Sequence, residues 1–465
     1  MIDLLVTAGV ALTVDPHDRV IDDAAIAIDE GVIVGVGTAG EVAGRYRAKE
    51  TIDVPHGVVL PGLVDAHSHA GHALVRTVAD DLDAWMEACA VIYLHGATPD
   101  FWEAEARLTA VERLLAGTTT SLSMLGGAGD TIRADDPDHG RAHLAAYAET
   151  GLRSVLVVGP GGPPFPKVTT DHRSGEARRV ESGLEDQLAT VEALAAAATE
   201  PLGRVATTFP TLSMDEIGGA GLAAAAGEVA RLAERLDLRI VQDGHRGDTV
   251  RASAELGLLG SRSLLSHATD LDAADIELIA AAGASIAHNP AAIFSQVGRC
   301  PVPELIAAGV AVGLGSDATA PDRSADMFRH MFALTRYHRA DRRDPGLFPP
   351  AQTLRMATMG SARALGLDAS IGSLEVGKAA DVVVVDAGKP HLTPLTHPVH
   401  QIVYFATGAD VDTVIVDGVV RMRRRTIEHV DLEAVMREAR RQQELAVERA
   451  SAAGATVPPL GRSRF

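Results

Sequence analysis

The sequence predicts an α/β chain, a (β/α)8 TIM barrel with a small β-sandwich domain built from both chain ends, and three observations predict it. Eight short apolar runs rich in Val, Ile, Leu and Thr, each bounded by Gly or Pro, follow one another through the middle of the chain with helix-like stretches between them. Strand alternating with helix implies a parallel sheet, and eight repeats over this length match the barrel. The flanks read instead as strand-turn-strand without intervening helices.

The runs are, in order, "GVVLPGLVDAHSH" (57–69), "GTTTSLSM" (117–124), "LRSVLVVGP" (152–160), "GRVATTFPT" (203–211), "LRIVQDGH" (238–245), "RSLLSHAT" (262–269), "GASIAHNP" (283–290) and "GVAVGLGSD" (309–317). Between the first two lies "FWEAEARLTAVERLLA" (101–116), in which Leu108, Val111, Leu114 and Leu115 share one helical face. The sandwich draws on residues 1–56, where "LLVTAGVALTVD" and "AAIAIDEGVIVGVGTAG" lie, and 372–430, with "ADVVVVDAG" and "VDTVIVDGVVRM". The barrel spans 57–371. Residues 431–465 form a C-terminal helix and tail, the helix running from a capping Asp431 to about Ser451 with Leu432, Val435, Met436 and Ala439 on one side.

Composition narrows the function classes. With 46% hydrophobic and 22% charged residues, the 465-residue chain is an ordinary globular one, too long for a single compact small domain. A formal net charge of −20 repels phosphate backbones and anionic membranes, so nucleic acid and membrane are not expected partners. Only Cys89 and Cys300 occur, too few for a disulfide framework and without the spacing of a zinc-thiolate site. A reducing cytoplasm fits, since the N-terminus lacks a basic leader and no stretch approaches the apolar length of a membrane helix.

In such barrels chemistry gathers where the C-terminal strand ends meet. His67 and His69 lie two apart, so alternation along a strand points both imidazoles to one face and one ion. Alone that pair is a weak signal. Its weight comes from company at other strand ends: His245, His267, His288 and Asp317. Core histidines bonded to backbone account poorly for His recurring at equivalent ends of separate strands.

Together these motifs resemble the amidohydrolase superfamily, in the branch of chlorotriazine hydrolases, S-adenosylhomocysteine and methylthioadenosine deaminases, and guanine and cytosine deaminase relatives. The resemblance spans nearly the whole chain: "VVLPGLVDAHSHAGHALVRTVADD", "LLAGTTT", "LLSHATDLDAADIELIAAAGASIAHNP", "GVAVGLGSDATAPDRSADM" and "GSLEVGKAADVVVVD". It implies that His67, His69, His245 and Asp317 hold one divalent ion, zinc ahead of iron, with His267 orienting the water or polarising the atom under attack. Two-metal relatives use a carboxylated lysine on strand four. Here "GRVATTFPT" has none, and Lys49, Lys167, Lys378 and Lys389 fall elsewhere, so a second ion is not expected.

The fifth run departs from the family's His-x-x-Glu, and "QDGHRGD" allows two registers. One puts Asp243 at the ligand and Arg246 at the acid. The other gives His245 and Asp248, and is preferred because neutral imidazole is the standard ligand and a carboxylate then serves as proton shuttle. Asp243 would then orient a ligand from behind.

The expected chemistry is hydrolytic displacement at an sp2 carbon of a nitrogen heterocycle by water activated on the ion, above all deamination. Asp317 or Asp248 accepts the water proton and Asp248 returns one to the departing amine. Cyclic amide or imidazolone C–N cleavage and dechlorination are alternatives on the same parts; a binding or scaffold protein with an altered strand-five motif is a third. Substrate contacts depart from the family, because "HNPAAIF" (288–294) has Ala291, Ala292 and Ile293, and "ATAPDRS" (318–324) stands after Asp317, where relatives carry Ser-Asn pairs. His72, Arg76, Trp85 and His288 are candidates for the pocket rim. The Gly/Pro-rich stretch 159–179 reads as a long loop after strand three, in the position of lids. A homodimer is expected by analogy with the fold.

Overall fold

The computed structural model describes residues 1–79, 82–127, 129–198, 201–294, 298–320 and 323–456. Asp80 and Asp81 of the strand-one segment, Pro321 and Asp322 of the loop after Asp317, and the tail from residue 457 lie outside them, as does the side chain of Ile293.

The barrel is an eight-stranded parallel sheet of Leu63–Ala70, Thr118–Leu125, Arg153–Val158, Gly203–Thr208, Ile240–Gln242, Ser263–Ser266, Ser285–His288 and Ala311–Leu314, in chain order. These are the eight predicted runs, nearly all buried along their length, as strands covered on both faces must be. First and eighth strands are joined by less than a ladder: a bridge between Ser68 and Asp317, with the Asp317 N–H donating to the His67 carbonyl at 2.9 Å. Side chains complete the seam. The buried Asp65 carboxylate accepts from the Ser316 N–H (2.8 Å) and hydroxyl (2.6 Å), and Arg113 pairs with it at 3.4 Å.

Both chain ends form one seven-stranded sheet, in which Ala48–Pro61 is central between Ile2–Leu12 and Val382–Asp386. The run read as one strand over 57–69 is therefore two. Residues up to Pro61 pair in the outer sheet, and the chain crosses to the barrel at Gly62, where a Cβ would sit 2.0 Å from Thr119 Oγ1.

The helix Leu432–Ala452 begins on Asp431, whose side chain accepts from the Ala434 N–H at 3.0 Å. It buries Ala439, Gln442, Ala446 and Ala450 and leaves Met436 exposed, and the alanines of this face allow close approach to Gly96 and the helix Pro99–Leu115. Among the described residues no helix is long and apolar enough to cross a membrane, and both cysteines are free and buried.

The stretch after strand three is more ordered than a long loop. It contains a two-stranded hairpin, Lys167–Asp171 against Arg178–Ser182. The hairpin is docked: Thr169 donates to Asp135 at 2.9 Å, and the His172 ring meets the His95 carbonyl at 2.7 Å.

Candidate metal centre

Four strand ends converge on one buried cluster. The first strand stays extended through Ala70, so His67 and His69 share a face and their Nε2 atoms point the same way. The His69 Nδ1–H donates to the Gly126 carbonyl at 3.0 Å, which orients the ring and turns Nε2 toward the cluster. His267 and Asp317 sit just past strands six and eight with φ of 64° and 62°. Left-handed backbone costs a non-glycine residue roughly 1 kcal/mol or more, and here it turns both side chains into the bowl.

The fourth arm is Asp243. Its Oδ1 lies 3.1 Å from His67 Nε2 and 3.2 Å from His267 Nε2, and its Oδ2 is 3.4 Å from His69 Nε2. Asp317 Oδ1 is 3.2 Å from His69 Nε2 and 3.7 Å from His67 Nε2. The donor atoms of His67, His69 and Asp243 lie within 4.8 Å of one another, and so do those of His67, His267 and Asp317.

His245, the ligand expected from sequence, stands apart from both groups. It is fully buried with Nδ1 on the Thr249 hydroxyl at 2.9 Å and Nε2 without a hydrogen bond, and burial pushes its pKa down to about 3. The reason is local. The fifth strand is only three residues long, and Gly244 (φ 80°) breaks the extended backbone between Asp243 and His245, so alternation no longer puts the two on one face. Asp248 is half-buried at the start of helix Thr249–Glu255 and accepts from the Met214 N–H at 3.4 Å; no contact among the described residues joins it to the cluster. Arg246 is exposed and paired with Asp270 at 3.0 Å.

Electrostatics bind the cluster tightly. Burial alone would lower the His69 pKa, but the Asp243 and Asp317 carboxylates reverse this and hold it up at about 10. His267 is likewise raised against burial, by Asp317 and Asp243. Burial would raise Asp317, but Arg323, 3.5 Å from its Oδ2, and the imidazoles hold it well below the usual carboxylate range. The surrounding imidazoles do the same for Asp243.

The candidate rim residues are placed as follows. The buried His72 ring lies between His69 and Trp85, with centroids 4.8 Å from each. Trp85 donates to the Val75 carbonyl at 2.7 Å, and Arg76 donates to the Thr319 carbonyl at 3.2 Å and pairs with Glu112. His288 is buried with its Nε2 3.1 Å from His338 Nε2. Four contributors were not singled out from sequence: Gly126, acting through its carbonyl; Ser266, which donates to Asp243; Asn289, 3.4 Å from His267; and Arg323. A backbone carbonyl leaves no sequence signal. Arg323 had one, as the single cation in the departing "ATAPDRS" loop.

The amidohydrolase family model matches residues 58–421, the barrel with most of the return to the outer sheet. The chain belongs to the amidohydrolase family. This amidohydrolase is 34% identical over 449 residues to a 5-methylthioadenosine/S-adenosylhomocysteine deaminase of Syntrophobacter fumaroxidans, covering 94% of this chain and 97% of the relative. A deaminase of the same name from Haloarcula marismortui is 33% identical, over 97% and 100%. Among solved structures, a zinc-bound adenosine deaminase from Xanthomonas campestris superposes with a TM-score of 0.83 at 28% identity, covering 96% of this chain and 99% of that one. The zinc complex of atrazine chlorohydrolase from Arthrobacter aurescens reaches 0.80 at 22% identity over 95% and 100%, a likeness of fold. The protein is thus a metal-dependent hydrolase of C–N bonds other than peptide bonds.

The residues present fit a divalent ion. His67 Nε2 is buried without a well-formed hydrogen bond and faces the Asp243 and Asp317 carboxylates, an arrangement that a cation between the imidazole and carboxylate donors satisfies.

Proposed function

We propose that this amidohydrolase is an aminohydrolase that displaces an amino group from an sp2 carbon of a nitrogen heterocycle. It works with one divalent ion, zinc ahead of iron, held by His67, His69, Asp243 and Asp317. The observation that carries the reading is the convergence of those four side chains with His267 on one buried point at the C-terminal mouth of the barrel. The relatives that bear the deaminase name support the choice of leaving group.

A bound divalent ion lowers the pKa of water toward neutrality and polarises the atom under attack. The chain supplies the rest. Gly126 orients His69, and Arg323 keeps Asp317 ionised as a fixed negative charge. His267, whose Nε2 faces the cluster between two carboxylates, would take the proton that the attacking water releases and return it to the departing nitrogen.

One observation favours halide loss as a second reading. An amine must be protonated to leave and a halide need not be, and the position three after Asp243 carries Arg246 instead of a carboxylate. Metal-loaded protein incubated with 5′-methylthioadenosine, S-adenosylhomocysteine, adenosine, aminopyrimidines and chlorotriazines separates the cases. The proposal expects ammonia release with the ring left closed, abolished by chelator. Chloride release without ammonia would replace it with the second reading, and ring opening with the cyclic amide alternative.

A further inference from the structure

Among the four arms of the cluster, those from strands one and six are imidazoles and those from strands five and eight are carboxylates. Asp243 is no bystander in that set. Its two oxygens face three different imidazole Nε2 atoms, and the Ser266 hydroxyl donates to Oδ1 and fixes the carboxylate's orientation. The nearby imidazole of His245 is turned to Thr249.

Two carboxylates give the ligand set a formal charge of −2, against −1 for three imidazoles and one Asp. A divalent ion in this cradle is therefore neutralised by its own ligands. Imidazole suits zinc, copper and iron, whereas carboxylate oxygen suits manganese and magnesium. Exchanging one for the other narrows the margin by which zinc outcompetes a harder ion.

We infer that Asp243 tunes this centre toward harder divalent ions, so that manganese(II) binds closer in affinity to zinc(II) than it would with an imidazole at the same position. The inference rests on the metal-centre reading above and deepens it by assigning the selectivity to one side chain. It also bears on the cell, since a site with a narrowed zinc preference is filled according to which ion is available.

The test is a metal competition, read without any substrate. Full-length wild type, Asp243→His, Asp243→Asn and His67→Ala are stripped of metal and titrated with Mn(II), bound ion being followed by electron paramagnetic resonance, and then with Zn(II) as competitor. The expected result is a zinc-over-manganese preference higher in Asp243→His than in wild type by about tenfold or more. Asp243→Asn, nearly the same shape without the charge, weakens both ions and manganese more, which keeps the inference testable if the His variant does not fold. An equal preference in wild type and Asp243→His, or an Asp243→Asn variant that binds both ions as wild type does, overturns the inference while His67→Ala still loses both ions. Wild type that binds neither ion overturns the metal-centre reading itself.

Discussion

The ends of the first and fifth barrel strands each carry a polar pair two residues apart, His67 with His69 and Asp243 with His245, yet only the first pair enters the cluster together. The first strand is eight residues long and remains extended past its second histidine, so the two-residue period holds. The fifth is three residues long, and the left-handed Gly244 lies between the two candidates. Alternation assigns faces only while the backbone stays extended. Past the end of a short strand, the turn geometry decides which side chain points inward.

The comparison can be broken most severely at the first strand. Replacing His67 or His69 with Ala should remove the ion and lower turnover by about a thousandfold or more, measured as metal content and kcat/KM together. Retained metal in either variant would mean that alternation had failed there too.

Next in size is the seam that holds this strand against the eighth. Asp65→Asn leaves Arg113 buried without its partner charge and should cost about 3 kcal/mol, read from the midpoint of urea unfolding. An unchanged midpoint would mean that the strand end is held by the ladder with its neighbour alone.

A subtler effect comes from Glu105 on helix Pro99–Leu115, buried beneath the turn that follows the first strand. Burial pushes its carboxyl up to about 7, against the opposing pull of the Gly71 and Ala73 N–H groups and of Arg113. Because the folded chain holds this proton more tightly than the unfolded chain, whose value is near 4.5, the contribution to stability is greatest below pH 4.5. It is lost as pH rises through 7, by about 3 kcal/mol in total. Glu105→Gln should flatten that part of the stability curve. A wild-type curve that rises between those pH values, with the variant's slope unchanged, would contradict this account.

Much of the architecture was legible because buried parallel strands write themselves as short runs rich in apolar and β-branched residues, and all eight were readable that way, even the second, where Thr and Ser outnumber the apolar residues. The crossing at Gly62 was not, since the apolar character of 57–69 continues from the outer sheet into the barrel without a break. The hairpin 167–182 was hidden for the opposite reason: its strands are short and polar and follow a Pro-rich approach that reads as loop. In the site, His67, His69, His267 and Asp317 announced themselves by recurrence at strand ends. Asp243 was legible only as an alternative, because a preference for imidazole as ligand weighed more than a strand length that the sequence does not state. Arg323 carries a weak signal, being one cation in a loop whose departure from relatives shows first as missing polar residues.

Metal content per chain of wild type, Asp243→Ala and His245→Ala, each purified without added metal and measured side by side, tests the central claim most directly. The account predicts roughly one ion in wild type and in His245→Ala, and its loss in Asp243→Ala. Loss in His245→Ala with full content in Asp243→Ala would contradict it, and would return the fifth strand's ligand to the imidazole.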